Sequence, residues 1–176
     1  MHCILLFAGP SKSGKTTLAK RLAESLAVPF SSFGDYVRKE AQRRGFTGSS
    51  SRELQELGSE MVEKDVKSFC EAVLEGGGYV VGHGLVIDGI RHMEAFATIQ
   101  TLVPKQSVKL IYLESSLADR MKRSSLSARE LREIDSHPVE ADRTLLKSAA
   151  DLVLSTSAES DECFETLLTW ATQHCN

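Results

Sequence analysis

Gly9-Pro10-Ser11-Lys12-Ser13-Gly14-Lys15-Thr16 satisfies the spacing GxxxxGK[ST], directly after an apolar run and directly before a helical pattern. Its glycines let the backbone fold tightly around phosphate oxygens, its N–H groups point inward, and the helix that follows presents its positive N-terminal end. Lys15 is then a point charge for β- and γ-phosphates. Thr16 offers a hydroxyl to Mg²⁺, which takes hard oxygen donors. The reading assigns Gly9 through Thr16, with the adjoining Thr17, to ATP and implies Mg²⁺ with it. Leu85-Val86-Ile87-Asp88 is an apolar run ending in a carboxylate, the position of an acid that holds the magnesium shell, so Thr16 and Asp88 are the candidate metal ligands. Gly89 follows Asp88 where many ATP-hydrolysing motors carry a water-polarising Glu, and no guanine-reading [NT]KxD element occurs. The chemistry indicated is phosphoryl transfer to an acceptor.

Two further elements follow apolar runs: Gly34-Asp35-Tyr36-Val37-Arg38 and Asp88-Gly89-Ile90-Arg91. With the phosphate loop they resemble, in order, the GDxxR and DGxxR-type elements of nucleoside monophosphate kinases such as adenylate kinase. The resemblance covers the N-terminal half and implies that Arg38 and Arg91, with Asp35, hold the phosphate of an acceptor nucleotide. Guanidinium forks match phosphate geometry and stay charged at any working pH. Ser51-Arg52-Glu53-Leu54-Gln55-Glu56-Leu57-Gly58 resembles the acceptor subdomain of phage-type deoxynucleoside monophosphate kinases, with Gln55 or Arg52 toward the acceptor; an exposed amphipathic helix gives the same pattern. The whole chain resembles bacterial proteins labelled AAA-family ATPases or adenylate-kinase-like, partly through Asp135-Ser136-His137-Pro138-Val139-Glu140, a stretch with no evident chemical role. His137 and Glu140 read there as structural, bracing a lid. The chain departs from adenylate kinases at Ile90, where they carry proline, and at Ala95, where they carry an adenine-reading glutamine.

Arg120, Arg123, Arg129 and Arg132 fall where related kinases place a mobile lid that closes over the triphosphate. Arg120 and Arg123 are i, i+3 on one helix face, so both can point into the cleft. Lys15, Arg91, Arg120 and Arg123 are accordingly the candidate catalytic residues, with Asp35, Arg38, Arg91 and Gln55 for the acceptor. The leading expectation is transfer of the γ-phosphoryl of Mg·ATP to a nucleoside or deoxynucleoside monophosphate. Its oxygen is already anionic, so catalysis reduces to positioning and charge neutralisation. One alternative is a hydroxyl on a small metabolite, as in dephospho-CoA kinase, with Asp35 as base. Another is an ATP-binding switch that signals through lid closure.

Positioning these residues requires repeated strand–helix units. Apolar runs at Cys3–Ala8, Val28–Ser32, Leu85–Asp88, Val108–Leu113 and Leu152–Ser155 alternate with helical stripes such as Leu18, Leu22 and Leu26, or Leu54, Leu57, Met61 and Val62. The expected fold is α/β: one P-loop NTPase domain over 1–176, a five-stranded parallel sheet flanked by helices. It carries an acceptor-binding helical insertion at 34–78, bounded by turns at Gly45–Ser51 and Gly76–Gly78, and a lid-like insertion at 120–140. At 176 residues the chain supports one sizeable core. Its 21 Lys+Arg against 24 Asp+Glu leave no basic excess for long nucleic acid, and no apolar run approaches a membrane span. The N-terminal apolar stretch lacks a basic n-region and a cleavage site, and four dispersed cysteines read as reduced thiols, so a cytoplasmic protein is expected. The last Lys or Arg is Lys147, which leaves the positive charge to the loops around a small polyanion.

Overall fold

The computed structural model describes residues 2–46, 50–103, 107–156 and 160–175; within the Gly45–Ser51 turn, residues 47–49 lie outside them. Strand β1 (Cys3–Ala8) is buried at every position, which is why it reads as an unbroken apolar run. Its side chains alternate between two cores. Ile4, Leu6 and Ala8 face one, with Leu85, Ile87, Leu110 and Tyr112; Cys3, Leu5 and Phe7 face the other, with Val86, Ile111 and Leu113. Each fully buried Leu or Ile here contributes about 1.5–3 kcal/mol relative to exposure.

Around β1 lie β2 (Phe30–Ser32), β3 (Leu85–Asp88), β4 (Ser107–Glu114) and β5 (Leu152–Ser155), all parallel, in the order β2-β3-β1-β4-β5. The α/β architecture, a five-stranded parallel sheet flanked by helices, is as expected. Two strands differ from the apolar runs at their ends for local reasons. Val28 donates its N–H to Ala23 O at 3.0 Å to close the preceding helix, and Pro29 has no N–H, so β2 starts only at Phe30. β4 begins one residue early and ends one late because Ser107 pairs with Cys3 and Glu114 with Ser155.

Helix α1 (Lys15–Ser25) and α8 (Ser160–His174) cover one face through Leu18, Leu22, Phe164 and Leu167. The other face is covered by α2 (Phe33–Arg43), α3 (Ser51–Gly76), α4 (Met93–Leu102) and α7 (Arg143–Ala149). α3 starts at a capping box formed by Ser50 and Glu53 and breaks at Asp65, whose extended backbone (φ −165°, ψ 83°) divides it in two. Between β4 and β5 the chain forms α5 (Leu117–Lys122), α6 (Ala128–Asp135), a 3₁₀ turn (Pro138–Asp142) and α7. Among the described residues no helix is long and apolar enough to cross a membrane.

Candidate functional site

The carboxyl ends of β1, β2 and β3 lie side by side, since Phe7 and Ser32 both pair with Asp88. In an open parallel sheet this edge is where ligands bind. The loop leaving β1 turns three times through left-handed backbone, at Gly9, Lys12 (φ 63°) and Gly14. At Gly9 (φ 133°) a Cβ would stand 2.3 Å from Leu113 O, and at Gly14 (φ 91°) the chain swings into α1.

Ser13 is fully buried, and its carbonyl accepts the Thr156 hydroxyl at 3.0 Å. Lys15 is buried beneath the loop, donating to Gly9 O at 2.8 Å and Pro10 O at 2.7 Å. Burial pulls its pKa down to about 8, against the opposing pull of the Asp88 carboxylate. Thr16 donates its hydroxyl to Asp88 Oδ2 at 2.5 Å, while Asp88 Oδ1 is buried without a hydrogen-bond partner. A buried carboxylate oxygen left so is costly, and the pair of donors fits Mg²⁺, which takes one or two protein oxygens beside substrate phosphates. Among the described residues no cluster of three His, Cys, Asp or Glu side chains offers another metal site.

A cavity of about 290 Å³ opens beside the loop. Ser11, Lys12, Lys15, Thr16 and Asp88 line it together with Arg38, Gln55 and Arg91; Phe33, Val37, Leu54 and Phe69 make it partly apolar. Arg91 reaches it because Gly89 and Ile90 both donate N–H to Phe7 O, at 3.0 and 3.1 Å, which turns the chain after β3 back over β1. Asp35 does not line the cavity: its carboxylate, half exposed, accepts from Arg38 Nη2 at 2.5 Å. Of the two residues considered on α3, Gln55 is on the wall, whereas Arg52 is exposed and paired with Glu56 at 2.9 Å. His92 also lines the cavity, its imidazole held below the ordinary value by burial, with Asp142 opposing.

Arg120 and Arg123 part company. Arg120 is buried and grips Ser11 O at 2.8 Å and Asp135 through two bonds at 2.6 and 2.9 Å. Arg123 caps the end of α5 and turns to the opposite side of the loop, donating to Thr156 O at 3.1 Å. There it borders a second cavity of about 170 Å³ with Gly14, Thr17, Arg21 and Cys163. Shared helix spacing thus does not aim both side chains at one cleft, because the helix ends between them. Arg129 is exposed and paired with Glu133 at 2.9 Å, and Arg132 is exposed.

The sequence held no signal for the carboxylates that meet these arginines. Glu140, whose side chain is 3% exposed, accepts from Arg91, from Gln55 Nε2 at 3.0 Å and from Arg143 at 3.4 Å. Asp135 accepts from Arg143 at 3.0 Å as well as from Arg120. Both lie in the Asp135–Glu140 stretch, whose sequence pattern carries no chemical motif. His137 caps the 3₁₀ turn, its Nδ1 accepting from Val139 N–H at 3.2 Å.

A sequence profile described as an AAA domain matches residues 8–138. No curated protein matches the chain in sequence. Among solved structures, shikimate kinase from Acinetobacter baumannii in complex with shikimate is 17% identical, covering 100% of this chain and 96% of its own, with a TM-score of 0.60. Shikimate kinase from Bacteroides thetaiotaomicron is 16% identical over 97% of each chain, TM-score 0.57. A gluconokinase from Sinorhizobium meliloti is 14% identical over 98% of this chain and 93% of its own, TM-score 0.57. At these identities the likeness establishes the fold alone, an α/β P-loop architecture, which is broader than the specific resemblance to adenylate kinase drawn from the three motifs.

Proposed function

The chain belongs to this AAA domain family, and from that premise we propose that it is a small-molecule kinase, transferring the γ-phosphoryl group of Mg·ATP to a hydroxyl of a small anionic acceptor. One observation carries the reading. A single cavity of about 290 Å³ joins the phosphate loop and Asp88 to Arg38 and Arg91, so a triphosphate on the loop and an anionic acceptor on the arginines share one space.

Lys15 exchanges the Gly9 and Pro10 carbonyls for phosphate oxygens, and Arg120, already at Ser11, adds positive charge above the loop. Thr16 and Asp88 would hold Mg²⁺, which would supply positive charge to neutralise the phosphates. Arg38 and Arg91 hold the acceptor's anion while Phe33, Val37 and Leu54 cover its apolar part and exclude water. The acceptor oxygen forms its bond to phosphorus as the bond to the β-phosphate oxygen breaks, releasing ADP. The excursion at 120–140 acts as lid and the one at 34–78 as acceptor arm. The hydroxyl reading draws support from the fold neighbours, whose names specify shikimate and gluconate, both hydroxy acids with a carboxylate for arginines to hold. The hydroxyl's proton goes to the Asp35 carboxylate, freed toward the cavity once the acceptor's anion has taken Arg38 from it.

A second reading, a nucleoside or deoxynucleoside monophosphate as acceptor, is favoured by Arg38 and Arg91 of the GDxxR and DGxxR elements both lining the cavity, and needs no base. ADP formation with Mg·ATP, measured against a panel of hydroxy acids, polyols and nucleoside monophosphates, tests both. Turnover with a hydroxy acid that falls in Asp35→Asn supports the first, and turnover only with monophosphates supports the second. Absence of acceptor-stimulated ADP, or equal turnover in Lys15→Ala, sinks the kinase reading.

A further inference from the structure

Six side chains close a ring of hydrogen bonds through the phosphate loop. Ser11 Oγ accepts from Arg91 Nη2 at 3.0 Å, and Arg91 Nη1 donates to Glu140 Oε1. Glu140 Oε2 accepts from Arg143 at 3.4 Å, and the same Arg143 nitrogen donates to Asp135 at 3.0 Å. Asp135 takes both terminal nitrogens of Arg120, whose Nε returns to the Ser11 carbonyl at 2.8 Å. Ser11 is therefore gripped from the acceptor side by Arg91 and from the donor side by Arg120. Each arginine is held behind by its own carboxylate, and Arg143 ties the carboxylates together.

Within this ring Glu140 has a separate task. Its Oε1 is shared by Arg91 and by Gln55 Nε2, whose second contact is Ile134 O at 3.3 Å. Arg91, from the loop after β3, and Gln55, from α3, both line the cavity, and Glu140 joins them. Glu140 itself does not line the cavity and is too enclosed to meet a ligand.

We infer that Glu140 is a positioning residue for the acceptor site: one buried carboxylate sets Arg91 and Gln55 in a fixed relation and so aims Arg91 at the acceptor's anion. Asp135 does the equivalent for Arg120 on the donor side. A buried charge with three donors is well suited to this, because charge-assisted bonds hold a guanidinium plane in one orientation, and an arginine so fixed loses less freedom when an anion arrives. The inference rests on the reading that Arg38 and Arg91 receive an anion, and predicts an asymmetry that mere loosening of the fold would not produce. Glu140→Gln weakens the acceptor side alone, whereas Asp135→Asn weakens the donor side.

The test needs no turnover. With the donor site saturated by Mg²⁺ and a non-hydrolysable ATP analogue, inorganic phosphate is titrated calorimetrically as the anion probe; affinity for the analogue itself is measured separately by fluorescence. Phosphate should bind the native protein and lose affinity in Arg91→Ala. In Glu140→Gln it should weaken on the order of tenfold while analogue affinity changes less than about twofold. Asp135→Asn should show the reverse pattern. Should Glu140→Gln fail to fold, Glu140→Asp, which keeps the charge but falls short of Gln55, should show the same loss. Unchanged phosphate affinity in the folded Glu140 variants overturns the inference and leaves the acceptor-anion reading standing. Tighter phosphate binding also overturns it, since Glu140 would then compete for Arg91. No phosphate binding to the native protein overturns the acceptor-anion reading, and the inference with it.

Discussion

Nucleotide binding should draw a proton from solution at alkaline pH and almost none at neutral pH. Lys15 Nζ lies buried against two neutral carbonyls, and that burial brings its pKa to about 8. A polyphosphate replaces those carbonyls with full negative charge and returns the ammonium to the ordinary lysine value of about 10.4 or above. At pH 9, then, about one-tenth of the free molecules carry this proton against nearly all of the bound ones, an uptake of about 0.9 proton per site. At pH 7 the same arithmetic gives about 0.1. Affinity for the nucleotide should correspondingly fall about tenfold per pH unit between pH 8 and about 10.4. Calorimetric titration of Mg²⁺ with a non-hydrolysable ATP analogue, in two buffers of different ionisation enthalpy at each pH, yields the proton count directly. Lys15→Arg stays charged throughout and should abolish the uptake, which also subtracts any proton exchanged by the nucleotide itself. An uptake below about 0.2 at pH 9, or one that persists in Lys15→Arg, would refute the argument that burial, aided by the charges of Arg91 and Arg120, has primed this lysine.

Asp88→Asn should remove the gain in analogue affinity that Mg²⁺ confers; equal Mg²⁺ dependence in a fluorescence titration would count against it. Leu6→Ala, at a fully buried position of the central strand, should cost about 2–5 kcal/mol in chemical denaturation. Arg129→Ala, which breaks only the exposed pair with Glu133, should change stability by no more than about 0.5 kcal/mol and leave nucleotide affinity within about twofold.

Where an element is defined by local chemistry, the sequence was enough to place it. The β1 run, the loop glycines and the Thr16–Asp88 pairing follow from strands buried on both faces and from a spacing that only a tight phosphate cradle requires. The start of β2 was legible only in part, because Val28 looks like a strand residue and is used to close α1. Side-chain direction was the harder matter. Arg120 and Arg123 share helix spacing, yet the end of α5 falls between them and Asp135 claims only the first. Glu140 was invisible as a junction because its partners Gln55 and Arg91 lie 85 and 49 residues away, a distance that no local pattern encodes.

The break in α3 at Asp65 has a consequence for how this protein can diversify. Asp65 caps a fresh helix, accepting Ser68 N–H at 2.9 Å and the Ser68 hydroxyl at 2.6 Å. Beyond it, Phe69, Cys70, Val73 and Leu74 are locked into the core, with Val73 O bonded to Ser31 at 2.7 Å. Before it stand Ser51, Leu54, Gln55 and Gly58, which face the cavity. Because the second helix carries its own cap, its start does not depend on the register of the first. Substitutions at the cavity-facing positions Ser51, Leu54 and Gly58 can therefore shift acceptor preference without changing the register of the second helix, while Leu57 and Val62 in the core and Gln55 on Glu140 hold the first helix in place.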